Sequence, residues 1–154
     1  MPSPLPIAEV APEHGRLPES VAVGAEARPL GLYLHVPFCE VRCGYCDFNT
    51  YTAEEVRGVS RDSYPSQAMA EIELAAEIMR EAGLPKRELH TVFFGGGTPT
   101  MLGPQPLLAM LERARDTLGI APEAEITVEA NPDSVSADDL HRLAEGGFTR
   151  VSFG

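Results

Sequence analysis

The sequence predicts an α/β fold on a parallel sheet, because short apolar runs alternate with longer amphipathic segments. Four strand-like runs and three helix-like segments follow one another in the order β-α-β-α-β-α-β. This order is typical of parallel strands joined by right-handed crossovers, in either a doubly wound sheet or a barrel. A complete eightfold barrel needs roughly 250 residues. The 154 residues of this chain therefore predict a partial TIM-like (β/α) barrel, about its first three to four βα units.

The residues before the first strand differ in composition from the rest of the chain. Residues 1–28 are rich in Pro, Glu, Ala and Gly and show no sustained hydrophobic period, which predicts a disordered leader. The ordered part is expected to span residues 29–154, as the N-terminal part of a larger barrel domain. It opens with the apolar run Leu30–Val36, which ends at Pro37 because proline cannot donate to a sheet ladder.

Periodicity and terminal glycines define the remaining elements. A helix is expected over about residues 63–82, closed by Gly83 and Pro85, and a second helix ends at Gly119. A third helix begins at Ser136 in a capping-box pattern, with Asp139 in the place of glutamate. Later strands are expected at 90–94, 125–129 and 149–153. The helix positions expected to face the core are Ala68, Ile72, Ala75, Ala76, Met79, Leu107, Leu111, Ala114, Leu118, Leu140 and Leu143.

Charge and hydropathy argue against two classes of partner. The net charge is −11, and a negative field repels phosphate backbones, so a nucleic-acid surface is not expected. No run approaches the roughly 18 to 20 consecutive apolar residues of a transmembrane helix. The N-terminus also lacks the basic region and apolar core of a secretory signal, so a cytoplasmic location is the default.

The three cysteines of the chain form one cluster directly after the first strand. Cys39, Cys43 and Cys46 follow a C-x3-C-x2-C spacing, and their odd number suggests a metal site with one open position. Three thiolates can hold three irons of a [4Fe–4S] cluster and leave the fourth iron to a small chelating molecule. A structural zinc site, with His35 or His90 as a fourth ligand, is an alternative, as are three unrelated buried thiols.

Two further features are expected at the same edge of the sheet. A Gly-Gly-Gly-Thr-Pro-Thr turn at residues 95–100 follows the second strand of the parallel sheet, and Glu129 ends the third. Ligands of such folds bind at the carboxyl ends of the strands, so these features and the cysteines together indicate a small-molecule site. Tyr33 and Tyr45 could contact a ligand there or serve only in packing.

These motifs resemble those of the radical S-adenosylmethionine (SAM) enzymes, and in particular the oxygen-independent coproporphyrinogen III oxidase-like branch. The phrases Y-L-H-V-P-F-C, G-Y-C-D-F, F-F-G-G-G-T-P-T and E-A-N-P-D carry the resemblance, which covers about residues 30–154. It implies a radical SAM barrel in which SAM chelates the open iron of the cluster. In the family, the reduced cluster gives one electron to the sulfonium, which releases methionine and a 5′-deoxyadenosyl radical. The implied cluster ligands are Cys39, Cys43 and Cys46, and the implied SAM contacts are Tyr33, Tyr45, Gly96, Gly97, Thr98 and Glu129.

One position separates two groups within that branch. Coproporphyrinogen dehydrogenases carry an additional cysteine two residues after the third, where this chain has Phe48. The difference makes the chain similar to the haem chaperones, often called HemW, which bind haem and pass it to acceptor proteins. The haem-linked motif of that group lies beyond residue 154, and neither the acceptor nor the electron donor follows from the sequence. The alternatives are an oxygen-independent coproporphyrinogen III oxidase and a zinc-binding structural or interaction module.

Overall fold

A computed structural model of the chain describes residues 15–46, 48–52, 55–56 and 58–154. Its strands and helices are β1 (Leu30–Val36), β2 (Glu55–Val56), β3 (Val59–Ser60), α1 (Tyr64–Glu81), β4 (Leu89–Gly96), α2 (Pro104–Leu118), β5 (Ile120–Ala130), α3 (Ala137–Glu145) and β6 (Arg150–Phe153). Strands β2 and β3 pair as a small antiparallel hairpin that the sequence pattern did not predict.

The main sheet is parallel and has the strand order β1-β4-β5-β6. Each strand is therefore added beside the previous one in chain order. Right-handed crossovers without a reversal of order place α1, α2 and α3 on the same face of the sheet. That arrangement belongs to a barrel segment, since a doubly wound sheet reverses its order at a switch point. The predicted α/β fold and partial TIM-like architecture are confirmed.

The core lies between the helices and one face of the sheet. The register aligns Leu34 with Phe94, Phe94 with Val128, and Val128 with Val151 across the four strands. The first three of these side chains are buried, together with Leu107, Met110, Leu111 and Ala114 of α2. The opposite face of the sheet carries Tyr33, which is 53% exposed; in a barrel this face points inward.

The predicted core face of the first helix is correct except at one position. Ala68 and Ile72 are buried, and Ala76 and Met79 pack against the core. Ala75, however, is exposed, so its prediction was wrong. The four inward positions recur every three to four residues, and position 75 falls at the margin of that stripe.

Both predicted types of helix end are present. Gly83 has a φ of 68° and donates to the carbonyl of Arg80, while Leu84 donates to Met79; this is a Schellman end for α1. At α3, the Asp139 N–H donates to Ser136 Oγ and the Ser136 N–H donates to the Asp139 carboxylate, which forms the predicted capping box. The backbone and hydroxyl donors of Ser136 lower the pKa of Asp139, because they stabilise its ionised form.

The described part of the predicted leader contains two short 3₁₀ turns, Glu19–Ala22 and Ala25–Ala27. Ala25 is buried, and the Arg87 guanidinium donates to its carbonyl at 2.7 Å and to the carbonyl of Arg28 at 2.9 Å. Residues 1–14 lie outside the described residues. The disordered leader over 1–28 and the domain boundary at residue 29 therefore stay predictions.

Candidate functional site

The carboxyl ends of the parallel strands border a cleft of about 500 Å³. It is walled by the loop after β1, the turn after β4, and the ends of β5 and β6. The sequence-predicted site residues that line it are Cys39, Cys43, Cys46, Tyr45, Gly96, Gly97, Thr98 and Glu129. Tyr33 is the predicted contact that does not line the cleft. Parallel strands thus bring together residues that are far apart in the chain.

The cysteines lie on a loop whose two ends are held side by side. The Cys39 N–H donates to the carbonyl of Tyr51 at 2.9 Å, and the Tyr51 N–H donates to the carbonyl of Pro37 at 2.8 Å. All three cysteines are free thiols; Cys43 is exposed and the other two are partly buried. The loop therefore offers three soft ligands to one cleft from a closed base.

His35 ties this loop to the sheet. Its Nε2 lies 2.9 Å from the carbonyl oxygen of Asn49, and because a carbonyl only accepts, Nε2 carries the proton. In the neutral ring, Nδ1 then accepts from the Tyr33 hydroxyl, which lies 3.0 Å away. Gly96 makes room for the ring, since a Cβ added there would come within 2.6 Å of it. Both ring nitrogens are thereby engaged within the protein.

The zinc alternative gains no fourth ligand from either histidine. His35 uses both ring nitrogens for other partners, and His90 lies near the start of β4, at the opposite edge of the sheet from the cysteine loop. Among the described residues, no three His, Cys, Asp or Glu side chains, the three cysteines included, are grouped closely enough to hold a single metal ion. A closed tetrahedral zinc site needs four such ligands.

The glycine turn after β4 packs against the chain that enters the cysteine loop. The Gly97 N–H donates to the carbonyl oxygen of Val36, and the Thr98 N–H donates to that of Phe38. The N···O distance is 2.7 Å in both bonds. A Cβ on Gly97 would stand 2.4 Å from the carbonyl oxygen of Phe38, closer than any side chain tolerates. Glycine is required at position 97 because the backbone of Phe38 comes too close for a side chain. This close contact is with the protein and not with a ligand. The two N–H groups are used within the protein.

Glu129 is fixed by the same turn. Its Oε2 accepts the N–H of Gly96 at 3.1 Å, and Gly95 leaves space for the carboxylate, since a Cβ there would lie 2.9 Å from it. Nearby, Tyr33 stacks on Phe93 with ring centroids 6.0 Å apart. Partial burial raises the pKa of Tyr33, and the negative charge of Glu129 raises it further. Tyr33 is therefore electrostatically coupled to the cleft although it does not line it.

The loop after β5 forms a wall of the cleft, and of this region the sequence analysis named only Glu129 as a contact residue. Asn131, Asp133 and Ser134 all line the cleft. The Asp133 N–H donates to Asn131 Oδ1 at 3.0 Å, and the Ser134 hydroxyl donates to the Asn131 carbonyl at 2.7 Å. The Asn131-Pro132 dipeptide of the E-A-N-P-D motif marks the tight turn that brings these side chains to the cleft.

Phe48 and Tyr45 supply exposed aromatic surface to the cleft. Phe48 is 60% exposed and Tyr45 is 87% exposed, and both line it together with Val41 and Met101. The side of the cleft formed by the cysteine loop is therefore partly apolar. The side formed by Glu129 and the loop after β5 is polar.

The comparison with known families decides what kind of protein this is. Residues 33–154 match the model of the Radical SAM superfamily, which is most of the chain. The chain belongs to the radical SAM superfamily. Membership implies a [4Fe–4S] cluster and SAM as the bound groups. The cleft fits them in its chemistry, because three free thiols and a fixed carboxylate face the same space.

Individual relatives place the chain in the branch that its motifs resemble. It is 48% identical over 127 residues to "Heme chaperone HemW" of Mycobacterium tuberculosis (strain CDC 1551 / Oshkosh). The matched region covers 82% of this chain and 31% of that protein. It is also 36% identical over 126 residues to "Heme chaperone HemW" of Escherichia coli (strain K12). Here the matched region covers 82% of this chain and 32% of that protein.

A solved structure supports the same placement of this radical SAM chain. Coproporphyrinogen III oxidase (HemN) from Escherichia coli, described as a radical SAM enzyme, superposes with a TM-score of 0.71 at 30% identity. The superposition covers 90% of this chain and 31% of that structure. The chain thus spans about a third of the length of the proteins it matches. Within the described residues, no helix is long and apolar enough to cross a membrane.

Proposed function

We propose that this chain is the [4Fe–4S] cluster- and SAM-binding portion of a radical SAM haem chaperone, which transfers haem to acceptor proteins. The observation that carries the proposal is that three free thiols line the same cleft as the glycine turn and Glu129. Cys39, Cys43 and Cys46 would hold three irons and leave the fourth to the amine and carboxylate of SAM.

The walls of the cleft suggest how SAM is held. The Glu129 carboxylate suits an ammonium group or ribose hydroxyls, and it is fixed in place by Gly96. Gly97 and Thr98 already donate their N–H groups to the protein, so their contacts to SAM would use carbonyl, Cα–H or hydroxyl groups. Tyr45 offers an aromatic face. Tyr33 would act from beside the cleft.

Haem transfer is favoured over oxidative decarboxylation by two observations. Phe48 lines the cleft at the position where coproporphyrinogen dehydrogenases of this branch carry their additional cysteine. The relatives named above at 48% and 36% identity are both called haem chaperones. An oxygen-independent coproporphyrinogen III oxidase is the second candidate, and the superposition on HemN favours it. In the chaperone, haem would bind outside this segment. The cytoplasmic location stays a prediction.

Anaerobic reconstitution of the chain with iron and sulfide tests the cluster. We expect about four irons and four acid-labile sulfides per chain, and visible absorbance that bleaches with dithionite. Replacing any one of the three cysteines with serine should lower the iron content, and Cys43 gives the clearest test because its thiol is the most exposed. One zinc per chain, with little iron or sulfide, would instead support a zinc module.

Haem binding by the full-length protein separates the two porphyrin-related functions. The chaperone hypothesis predicts stoichiometric haem binding, and no conversion of coproporphyrinogen III to protoporphyrinogen in the presence of SAM and a reductant. Protoporphyrinogen formation would overturn it in favour of the oxidase. Absence of haem binding would reject the chaperone whatever the state of the cluster.

A further inference from the structure

Two hydroxyl groups join the turn after β4 to the loop after β5. Thr100 lies in the 3₁₀ turn Pro99–Leu102 and is only 4% exposed, while Ser134 closes the 3₁₀ turn Pro132–Ser134. Their Oγ atoms are 2.6 Å apart. A nearly buried hydroxyl is costly to leave unpaired, so this contact contributes to the positions of both segments.

The direction of this hydrogen bond follows from the other partners of Ser134. Its hydroxyl donates to the carbonyl oxygen of Asn131 at 2.7 Å, which uses its single proton. Thr100 must therefore be the donor. Ser134 Oγ also accepts the N–H of Asn131 at 3.2 Å. The Ser134 hydroxyl thus makes one donated and two accepted bonds, and Thr100 completes the set.

The bond connects two walls of the cleft. Met101, next to Thr100, lines it on one side, and Asn131, Asp133 and Ser134 line it on the other. We propose that Thr100 is a positioning residue for SAM: its hydroxyl holds the loop of residues 131–134 in the arrangement that receives the ligand. Thr100 does not itself touch SAM. The inference rests on the proposed function and adds to it the residue that fixes one wall of the site.

Replacing Thr100 with valine tests the idea, because valine keeps the shape and removes the hydroxyl. Loss of one hydrogen bond that orders a binding wall should raise the dissociation constant for SAM about fivefold. The measurement is titration calorimetry on the reconstituted chain, together with the change that SAM causes in the electron paramagnetic resonance spectrum of the reduced cluster. Iron content should equal that of the wild type.

Three variants separate positioning from general stability. Thr100→Ser keeps the hydroxyl and should restore SAM affinity. Thr127→Val removes another buried hydroxyl, which donates to the Glu125 carboxylate over 2.9 Å; neither residue lines the cleft. This variant should leave SAM affinity unchanged even if the thermal midpoint of unfolding falls. Ser134→Ala removes the acceptor, so combining it with Thr100→Val should weaken SAM binding by less than the sum of the two single effects.

The possible outcomes distinguish this inference from the proposed function. Wild-type affinity in Thr100→Val would overturn the positioning role alone. Failure of Thr100→Ser to restore binding, or full additivity in the double variant, would count equally against it. If the reconstituted wild type does not bind SAM, the proposed function fails, and the positioning role fails with it.

Discussion

The Nε2 of His35 donates a hydrogen bond of 2.9 Å to the carbonyl oxygen of Asn49, which joins β1 to the far end of the cysteine loop. The base of that loop is closed separately by the backbone bonds that Tyr51 makes with Cys39 and Pro37. The thiols are therefore carried by a segment that is fixed at its base and near its end. Such preorganisation reduces the conformational entropy that is lost when ligands gather around a cluster.

Replacing His35 with leucine should weaken the attachment of the cysteine loop to β1 more than it disturbs the hydrophobic core. The variant loses the bonds to Asn49 and Tyr33, each worth about 1 kcal/mol in net stability. We expect a lower free energy of unfolding and fewer irons per chain after reconstitution. His90→Leu is the matched control, because His90 is exposed near the other end of the sheet. Equal iron content in both variants would contradict the tethering role of His35.

Replacing Gly97 with alanine should separate the glycine turn from the start of the cysteine loop. The new Cβ would lie 2.4 Å from the carbonyl oxygen of Phe38 and 2.9 Å from that of Val36, and backbone atoms cannot move aside cheaply. Overpacking of this kind costs about 1–3 kcal/mol, which denaturant unfolding can measure. Gly44→Ala should change little, because an added Cβ there meets open space. Similar unfolding midpoints for the two variants would show that the backbone of the turn shifts to accommodate the new Cβ at little cost.

Tyr64 should make the stability of the protein fall at high pH. Its hydroxyl donates to the carbonyl of His35 at 2.7 Å, and burial, with smaller effects from Glu71 and Tyr33, raises its pKa from 10.0 to about 12. Between pH 10 and 12 the unfolded chain loses this proton while the folded chain keeps it. The free energy of unfolding should therefore decrease with pH across that interval.

Tyr64→Phe is the test of that pH dependence. It should cost about 1 kcal/mol near neutral pH through the lost hydrogen bond and should flatten the decline between pH 10 and 12. Urea unfolding at several pH values gives both quantities. Tyr45→Phe serves as the control for loss of a tyrosine hydroxyl at an exposed position, since Tyr45 is 87% exposed. An unchanged slope in Tyr64→Phe would assign the alkaline loss to other groups.

Local sequence signals predicted the elements that depend on local chemistry. The capping box at Ser136 and the glycine end of α1 use contacts within a few residues, and both are present. The parallel sheet was also predictable, because period and element order determine it. The choice between a barrel and a doubly wound sheet required the strand order, which depends on contacts between distant residues.

The site was predictable in its location but only partly in its contacts. Strand ends marked by cysteine, glycine and glutamate had to meet at one edge of a parallel sheet, and they do. The sequence could not show that Gly97 approaches Phe38, or that Thr100 bonds to Ser134, because these contacts join separate loops. The structure places Tyr33 beside the cleft, stacked on Phe93, and its contact with SAM stays a prediction.

Glu129→Gln should lower the pKa of Tyr33 towards its ordinary value. The substitution removes the negative charge that disfavours the tyrosinate, whereas the contribution of burial remains. A pH titration of tyrosinate absorbance measures the change, with Tyr33→Phe identifying the transition that belongs to this residue. Glu125→Gln removes the same charge at the middle of β5 and should have a smaller effect. An unshifted Tyr33 transition in Glu129→Gln would mean that the two groups are screened from each other.

The same substitution tests whether Glu129 recognises SAM by charge. Glutamine can still accept the N–H of Gly96 through its amide oxygen, so the geometry of the turn should survive. It cannot form a charge-assisted bond to an ammonium group, and SAM affinity should fall about tenfold. Calorimetry on the reconstituted variant measures the loss, and its iron content should match the wild type. Unchanged affinity would mean that the carboxylate acts only in fixing Gly96, and that other groups bind the ligand.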